Sequence, residues 1–189
     1  LTEADLITSA RLGDGQAWED LVRGHQEPVF RLAYLFLGDA DDAQDIAQET
    51  FIRAYQSLNR FDNTRPFRPW LMSIAANLAR NRMRGLSRYI AALKRLVQAD
   101  PTALEPQPLT PETGQDVDTL LQAVKKLNLS DQQIIYLRYF LEMTEQETAQ
   151  TLKIAPGTVK SRLHRALNRL RDYLSTGDPA HDEEAVHEP

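Results

Sequence analysis

The chain has 189 residues, 42% of them hydrophobic and 26% charged, with a formal net charge of −5 and no cysteine. These values suit a folded globular chain and argue against a fibrous repeat or disorder throughout. No stretch approaches the ~18 consecutive apolar residues of a membrane span, the start Leu1–Asp5 lacks the basic and apolar regions of a signal peptide, and without cysteine there are no disulfides or thiolate zinc sites, while a reducing cytoplasm is permitted.

Helical spacing runs through Ala17, Leu21 and Val22, with Trp18 beside them, and then through Val29, Leu32, Ala33, Phe36 and Leu37. Pro28 predicts a kink or break between these halves, and Gly38-Asp39 a stop. The next pattern is Ile46, Ala47, Thr50, Phe51, Ala54 and Leu58, with Asp41, Asp42 and Asp45 in its first turns, where carboxylates suit the helix dipole. Phe61 to Pro69 holds two prolines and Asp62-Asn63-Thr64 and reads as a loop. Helical spacing returns from Trp70 to Met83, and Ile90, Leu93, Leu96 and Val97 predict one further short helix. Residues 99–116 carry four of the ten prolines and read as an extended, mobile linker. A second helical pattern spans Val117 to about Leu174 through Leu120, Leu121, Val124, Leu127, Ile134, Ile135, Leu137 and Leu141. The expected fold is all-α: two small helical domains, 1–98 and 117–175, joined by the flexible linker 99–116 and followed by an acidic, disordered tail, 176–189.

The total charge conceals an asymmetry. Residues 1–50 hold three Arg and eleven acids, whereas residues 51–95 hold ten Lys and Arg against one acid, Asp62. From Lys153 to Arg171 there are six basic residues and no acid. Clustered cations of this kind are the footprint of polyanion binding, although a solvated helix face gives the same composition.

Residues 144–152 open with Thr144 and Glu147 at capping-box spacing. Lys153-Ile154-Ala155 follows as a turn, and Pro156 suits a first helical position. A helix, a short turn and a second helix form the helix-turn-helix layout. Ala149 is small where the helices cross, and Leu152, Ile154, Val159 and Leu163 form the internal seam. Lys160, Ser161, His164 and Arg165 lie on the opposite face, with Arg162 alongside, in a helix suited to the major groove. Lys153 stands where a glycine would reach positive φ more easily.

The blocks 42–55 (Asp-Ala-Gln-Asp-Ile-Ala-Gln-Glu-Thr-Phe-Ile-Arg-Ala-Tyr), 68–77 (Arg-Pro-Trp-Leu-Met-Ser-Ile-Ala-Ala-Asn, from Arg68) and 156–166 (Pro-Gly-Thr-Val-Lys-Ser-Arg-Leu-His-Arg-Ala) resemble, in order and spacing, the extracytoplasmic-function sigma factors of bacteria. The resemblance implies a protein with only a region 2 and a region 4 domain. Such a protein binds core RNA polymerase through the β′ clamp helices and the β flap, and directs it to promoter DNA with −35 and −10 elements. It has no active site, cofactor or metal, since phosphodiester chemistry belongs to the polymerase. An anti-sigma factor is implied as a partner, membrane insertion is not, and the expected location is the cytoplasm.

By the same resemblance, Asp45, Gln48, Glu49 and Arg53 dock the polymerase. Phe61, Asp62, Asn63, Thr64 and Phe67 form a pocket for a −10 base. Trp70, Asn77, Arg80 and Arg84 follow along the adjoining helix, Asn77 toward a base and the arginines toward phosphates. For Trp70 and Phe67 ordinary core is the competing reading, and for Arg82 and Arg88 a solvated face. Lys160, Ser161 and His164 are candidates for −35 base edges, Arg162, Arg165 and Arg169 for phosphates, and Thr158 and Arg138 for backbone contacts at the groove edge. For Asp41, Asp42 and Asp45, helix-start electrostatics competes with metal binding. An EF-hand loop starting at Asp39 fails, with Gln44 at its sixth position and Thr50 at its twelfth. The alternative function is a stand-alone helix-turn-helix transcriptional regulator, which predicts an α/β receiver in the amino half. An enzyme is disfavoured, since the four histidines are scattered and no phosphate-binding glycine loop is present.

Overall fold

The computed structural model describes residues 2–98 and 115–176, and every regular element in them is helical. The first group comprises α1 (Glu3–Arg11), α2 (Gly15–Leu37), α3 (Ala40–Ser57), a 3-10 turn (Leu58–Arg60) and α4 (Phe67–Gln98). The second comprises α5 (Gln115–Lys126), α6 (Leu129–Ile135), a π-helical turn (Tyr136–Phe140), α7 (Glu145–Leu152) and α8 (Pro156–Thr176). The tail beyond 176 and all but the last residues of the expected linker lie outside the described residues.

Local chemistry sets the helix ends. Thr2 Oγ1 accepts from the Asp5 amide and the Asp5 carboxylate accepts from the Thr2 amide, closing a capping box on α1. The Asp14 carboxylate caps α2 through the Gln16 and Ala17 amides, and Asp39 caps α3 through Asp42 N. Gly38 ends α2 at φ 72°, a left-handed conformation that spares a glycine the Cβ clash. Leu21, Val29, Leu32 and Phe36 of α2 pack with Ile46, Ala47 and Ala54 of α3 and with Phe67, Leu71, Met72 and Ala75 of α4. In the second group Val124, Leu127, Ile134, Leu137, Val159, Ala166 and Leu170 are buried. The buried Gln132 amide donates to the Lys125 and Leu127 carbonyls at 3.0 and 2.7 Å, satisfying the end of α5.

Of the two readings of Pro28 the break is excluded, and one further expectation is corrected. Pro28 lies inside a continuous α2 from Gly15 to Leu37. An interior proline costs about 3 kcal/mol, but buried residues on both sides of it, from Leu21 to Phe36, hold the helix together. The short helix expected around residues 90–97 is not separate, because the backbone of α4 continues from Phe67 to Gln98.

The two groups of helices also touch. Phe36 and Tyr136 meet edge to face, with ring centroids 5.1 Å apart. Arg68 donates to the Leu141 carbonyl at 2.8 Å, and Thr151 Oγ1 donates to the Pro69 carbonyl at 3.3 Å. Helices α4 and α7 lie along this seam.

Candidate nucleic-acid interface

The loop between the 3-10 turn and α4 is built around Asp62. Its carboxylate accepts from Thr64 Oγ1 at 2.7 Å and from the Thr64 amide at 3.0 Å, and the Arg65 amide closes a turn onto the Asp62 carbonyl at 3.0 Å. The Thr64 hydroxyl, and then its amide, hold the Asp62 carboxyl below the usual carboxylate range. Asp62, Asn63 and Thr64 are exposed, whereas Phe61 and Phe67 are 6% and 1% exposed. Those two rings cluster with Trp70, at 4.6 Å for Phe61–Trp70 and 5.4 Å for Phe67–Trp70. The apolar side of the loop therefore faces inward in this arrangement and supports the polar rim from beneath. Trp70 is half-buried.

Along α4, Asn77 is exposed and its side-chain carbonyl accepts from Arg80 at 2.7 Å, which leaves the Asn77 amide N–H groups pointing away from that bond. Arg84 is exposed. Arg82 is exposed, in keeping with a solvated face, and it also bonds Asp42 at the start of α3, which raises its pKa further. Asn77 and Arg80 line a cleft of about 280 Å³ together with Ser130, Gln133, Lys153 and Arg162 of the second group.

The helix-turn-helix has the expected form. Thr144 and Glu147 make a reciprocal capping box on α7. Lys153 ends that helix in the left-handed region, at φ 55° and ψ 44°. Val159 and Ala166 are fully buried, while Lys160, Ser161, His164 and Arg165 lie exposed on the other side of α8. Thr158 and Arg162 are half-buried. Arg169 has a different partner: it pairs with Asp131, a 4% exposed residue that also accepts from Asn128 at 2.9 Å. One guanidinium nitrogen is engaged at the start of α6, while the side chain stays half exposed. Arg138 is likewise occupied, donating to the Met143 carbonyl.

On α3, Asp45 and Gln48 are exposed, and Glu49 pairs with Arg53 at 2.6 Å. Beside them a groove of about 340 Å³ runs between α2 and α3, lined by Val22, Gln26, Phe30, Gln44, Gln48 and Phe51. Trp18 extends this surface, its ring 5.1 Å from Tyr55. Ile52 and Tyr55 are 52% and 49% exposed. Sequence reasoning missed both. The signal was present, since they sit three residues apart and off the buried stripe of Ile46, Thr50 and Ala54.

Residues 21–89 match the family Sigma-70 region 2, and residues 118–170 match Sigma-70, region 4. The chain is 34% identical over 179 residues to the ECF RNA polymerase sigma factor SigW of Bacillus subtilis, covering 89% of this chain and 94% of that protein. It belongs to the extracytoplasmic-function sigma factors. As an alternative sigma factor it directs transcription initiation, and the stand-alone regulator reading is set aside because the amino half matches region 2 rather than an α/β receiver. The RNA polymerase sigma factor NccH of Alcaligenes xylosoxydans xylosoxydans is 31% identical, with 90% of this chain and 94% of that one covered. Among solved structures, CnrH in complex with the cytosolic domain of CnrY superposes with a TM-score of 0.69 at 26% identity, covering 93% of this sigma factor and 99% of that chain. The sigma factor RpoE, solved with the anti-sigma factor NepR from Bartonella quintana, gives a TM-score of 0.64 over 85% of this chain and 98% of that one. At 22% identity that likeness speaks to the fold alone.

Proposed function

We propose that this sigma factor reads the −35 element with Lys160, Ser161 and His164 of α8, while Arg162 and Arg165 hold phosphates and Thr158 lies at the groove edge. The loop rim Asp62, Asn63 and Thr64, with Asn77 behind it, takes the −10 element, and Arg80 and Arg84 hold its backbone. Phe61, Phe67 and Trp70 brace the loop. The reading rests on α8, where a fully buried side of Val159 and Ala166 forces Lys160, Ser161, His164 and Arg165 outward together on a helix that follows a tight turn. That is the layout that places early helix residues at base edges.

Core polymerase docks on α3 in the same proposal, with Asp45, Gln48, Glu49 and Arg53 flanking the groove and Ile52 and Tyr55 supplying its apolar contact. A half-polar, half-apolar helix surface with an exposed aromatic suits a helix of a partner, here the β′ clamp helices. The β flap is the proposed partner of the second domain. A regulatory partner of the anti-sigma kind is included, supported by the CnrH structure, which was solved in complex with the cytosolic domain of CnrY. The working compartment is the cytoplasm, where core polymerase acts. Among the described residues no helix is long and apolar enough to cross a membrane. The polymerase performs the chemistry, and this chain supplies the choice of site.

Binding to core polymerase and promoter opening separate these roles. Tyr55→Glu should abolish capture by immobilised core polymerase, whereas Asn77→Ala should bind core normally and lose opening at the −10 element. Loss of core binding in Asn77→Ala, with Tyr55→Glu unaffected, would invert the assignment.

A further inference from the structure

Helix α1 precedes the segment that matches region 2, which begins at residue 21. Its last residue, Arg11, nevertheless reaches the loop that opens the −10 side. Arg11 Nε donates to the Leu58 carbonyl at 3.0 Å, and Nη2 donates to the Phe61 carbonyl. These two carbonyls bracket the 3-10 turn Leu58–Arg60, and the Phe61 amide closes that turn onto the same Leu58 oxygen at 3.1 Å. Phe61 is the last residue before Asp62, whose carboxylate folds the loop rim through Thr64. One planar guanidinium thus fixes both ends of the turn from which the rim departs. A point-like ammonium offers no such fork.

The same helix braces the far side of the loop. Glu3 Oε1 lies 2.9 Å from His25 Nε2, and the His25 ring packs 5.3 Å from that of Phe67, the first residue of α4. Entry and exit of the loop are both tied back to α1, while the exposed rim between them makes its bonds only within itself among the described residues.

We propose that Arg11 is a positioning residue for −10 selection. It sets the aim of the Asp62–Thr64 rim by clamping the Leu58 and Phe61 carbonyls, and so acts on DNA without touching it. This rests on the reading that the loop captures a −10 base. It adds to that reading a determinant of specificity some fifty residues away in sequence.

The test is transcription by core polymerase with the full chain over promoters randomised at the −10 element and constant at −35. Three variants are compared: Arg11→Met, Arg11→Lys and, as the control for the loop itself, Asn63→Ala. In Arg11→Met the discrimination between the preferred and next base should fall by roughly five- to tenfold, about the scale of one lost charge-assisted hydrogen bond. Core binding and −35 preference should stay unchanged, which a general loss of structure would not allow. Arg11→Lys keeps the charge but replaces the fork by a single ammonium nitrogen, and should recover only part of the discrimination. Full discrimination in both Arg11 variants, with Asn63→Ala defective, would overturn the role of Arg11 and leave the loop reading standing. Full discrimination in all three would remove the loop as the reader, and Arg11 with it. If Arg11→Met does not fold, Arg11→Lys decides alone: wild-type discrimination there refutes the need for the fork.

Discussion

Arginines that look alike in the sequence divide by their partners. Arg165 is exposed on α8, with only a long 3.4 Å contact to the Ser161 carbonyl among the described residues. Arg169, one turn further on, is tied to the nearly buried Asp131. Removing a free phosphate contact lowers the salt dependence of DNA binding by about 0.9 units of log–log slope. Removing Arg169 leaves a buried carboxylate with less compensation, at a cost of about 1–3 kcal/mol after allowing for the half-exposed guanidinium. Arg165→Ala should therefore flatten the salt dependence of −35 binding in holoenzyme without moving Tm. Arg169→Ala should lower Tm with little change in slope. Binding isotherms between 50 and 200 mM salt and thermal melts of the same variants check the pair, and exchanged phenotypes would mean the Asp131 contact is incidental. Spacing alone could not separate them, because Asp131 lies 38 residues away from Arg169 and on another helix.

Local signals in the chain carried far at the level of elements. Thr144 with Glu147, Pro156 and the turn at Lys153 all read directly, because capping and turn chemistry act over three or four residues. The unbroken α2 did not read, since Pro28 is locally unfavourable and only tertiary burial of Leu32 and Phe36 offsets it. The exposed pair Ile52 and Tyr55 was passed over, although its spacing sets it off the buried stripe, because apolar residues on a helix are read first as core. Lys153 carries a testable consequence. A non-glycine residue in the left-handed region costs about 1 kcal/mol. Lys153→Gly should raise the denaturation midpoint of the second domain by an amount equivalent to about 0.5–1 kcal/mol, with −35 selectivity retained. A fall in stability would show that the lysine side chain contributes more to the turn than its backbone costs.

At the scale of the whole molecule, the two domains are packed together, and Asn77 and Arg80 share a small cleft with Arg162. At about 280 Å³ that space falls below the ~300–1,000 Å³ of ordinary small-molecule pockets. No residue pattern announces this contact, which joins Phe36 to Tyr136 and Pro69 to Thr151 across the chain. The seam also carries a defect. The Tyr136 hydroxyl is buried without a hydrogen-bond partner among the described residues, and burial pushes its pKa well above the usual phenol value. A buried hydroxyl left unsatisfied costs about 1–3 kcal/mol, and the ring that carries it packs against Phe36 of the first domain. Tyr136→Phe should therefore raise the closed fraction measured by interdomain energy transfer and slow loading onto core polymerase, and an unchanged closed fraction would show that the hydroxyl does not weigh on the seam. The two surfaces proposed to face DNA belong to separate domains, so in this proposal polymerase gains both contacts only when it holds them in register. The decisive measurement is transcription by core polymerase over a library randomised at −35 and −10, with the wild-type chain, Lys160→Ala and Ser161→Ala. Start-site choice should appear only when the chain is added, and each α8 variant should shift the preferred −35 bases while leaving the −10 preference intact. Unchanged −35 preference in both variants, or initiation without start-site choice, would contradict the account.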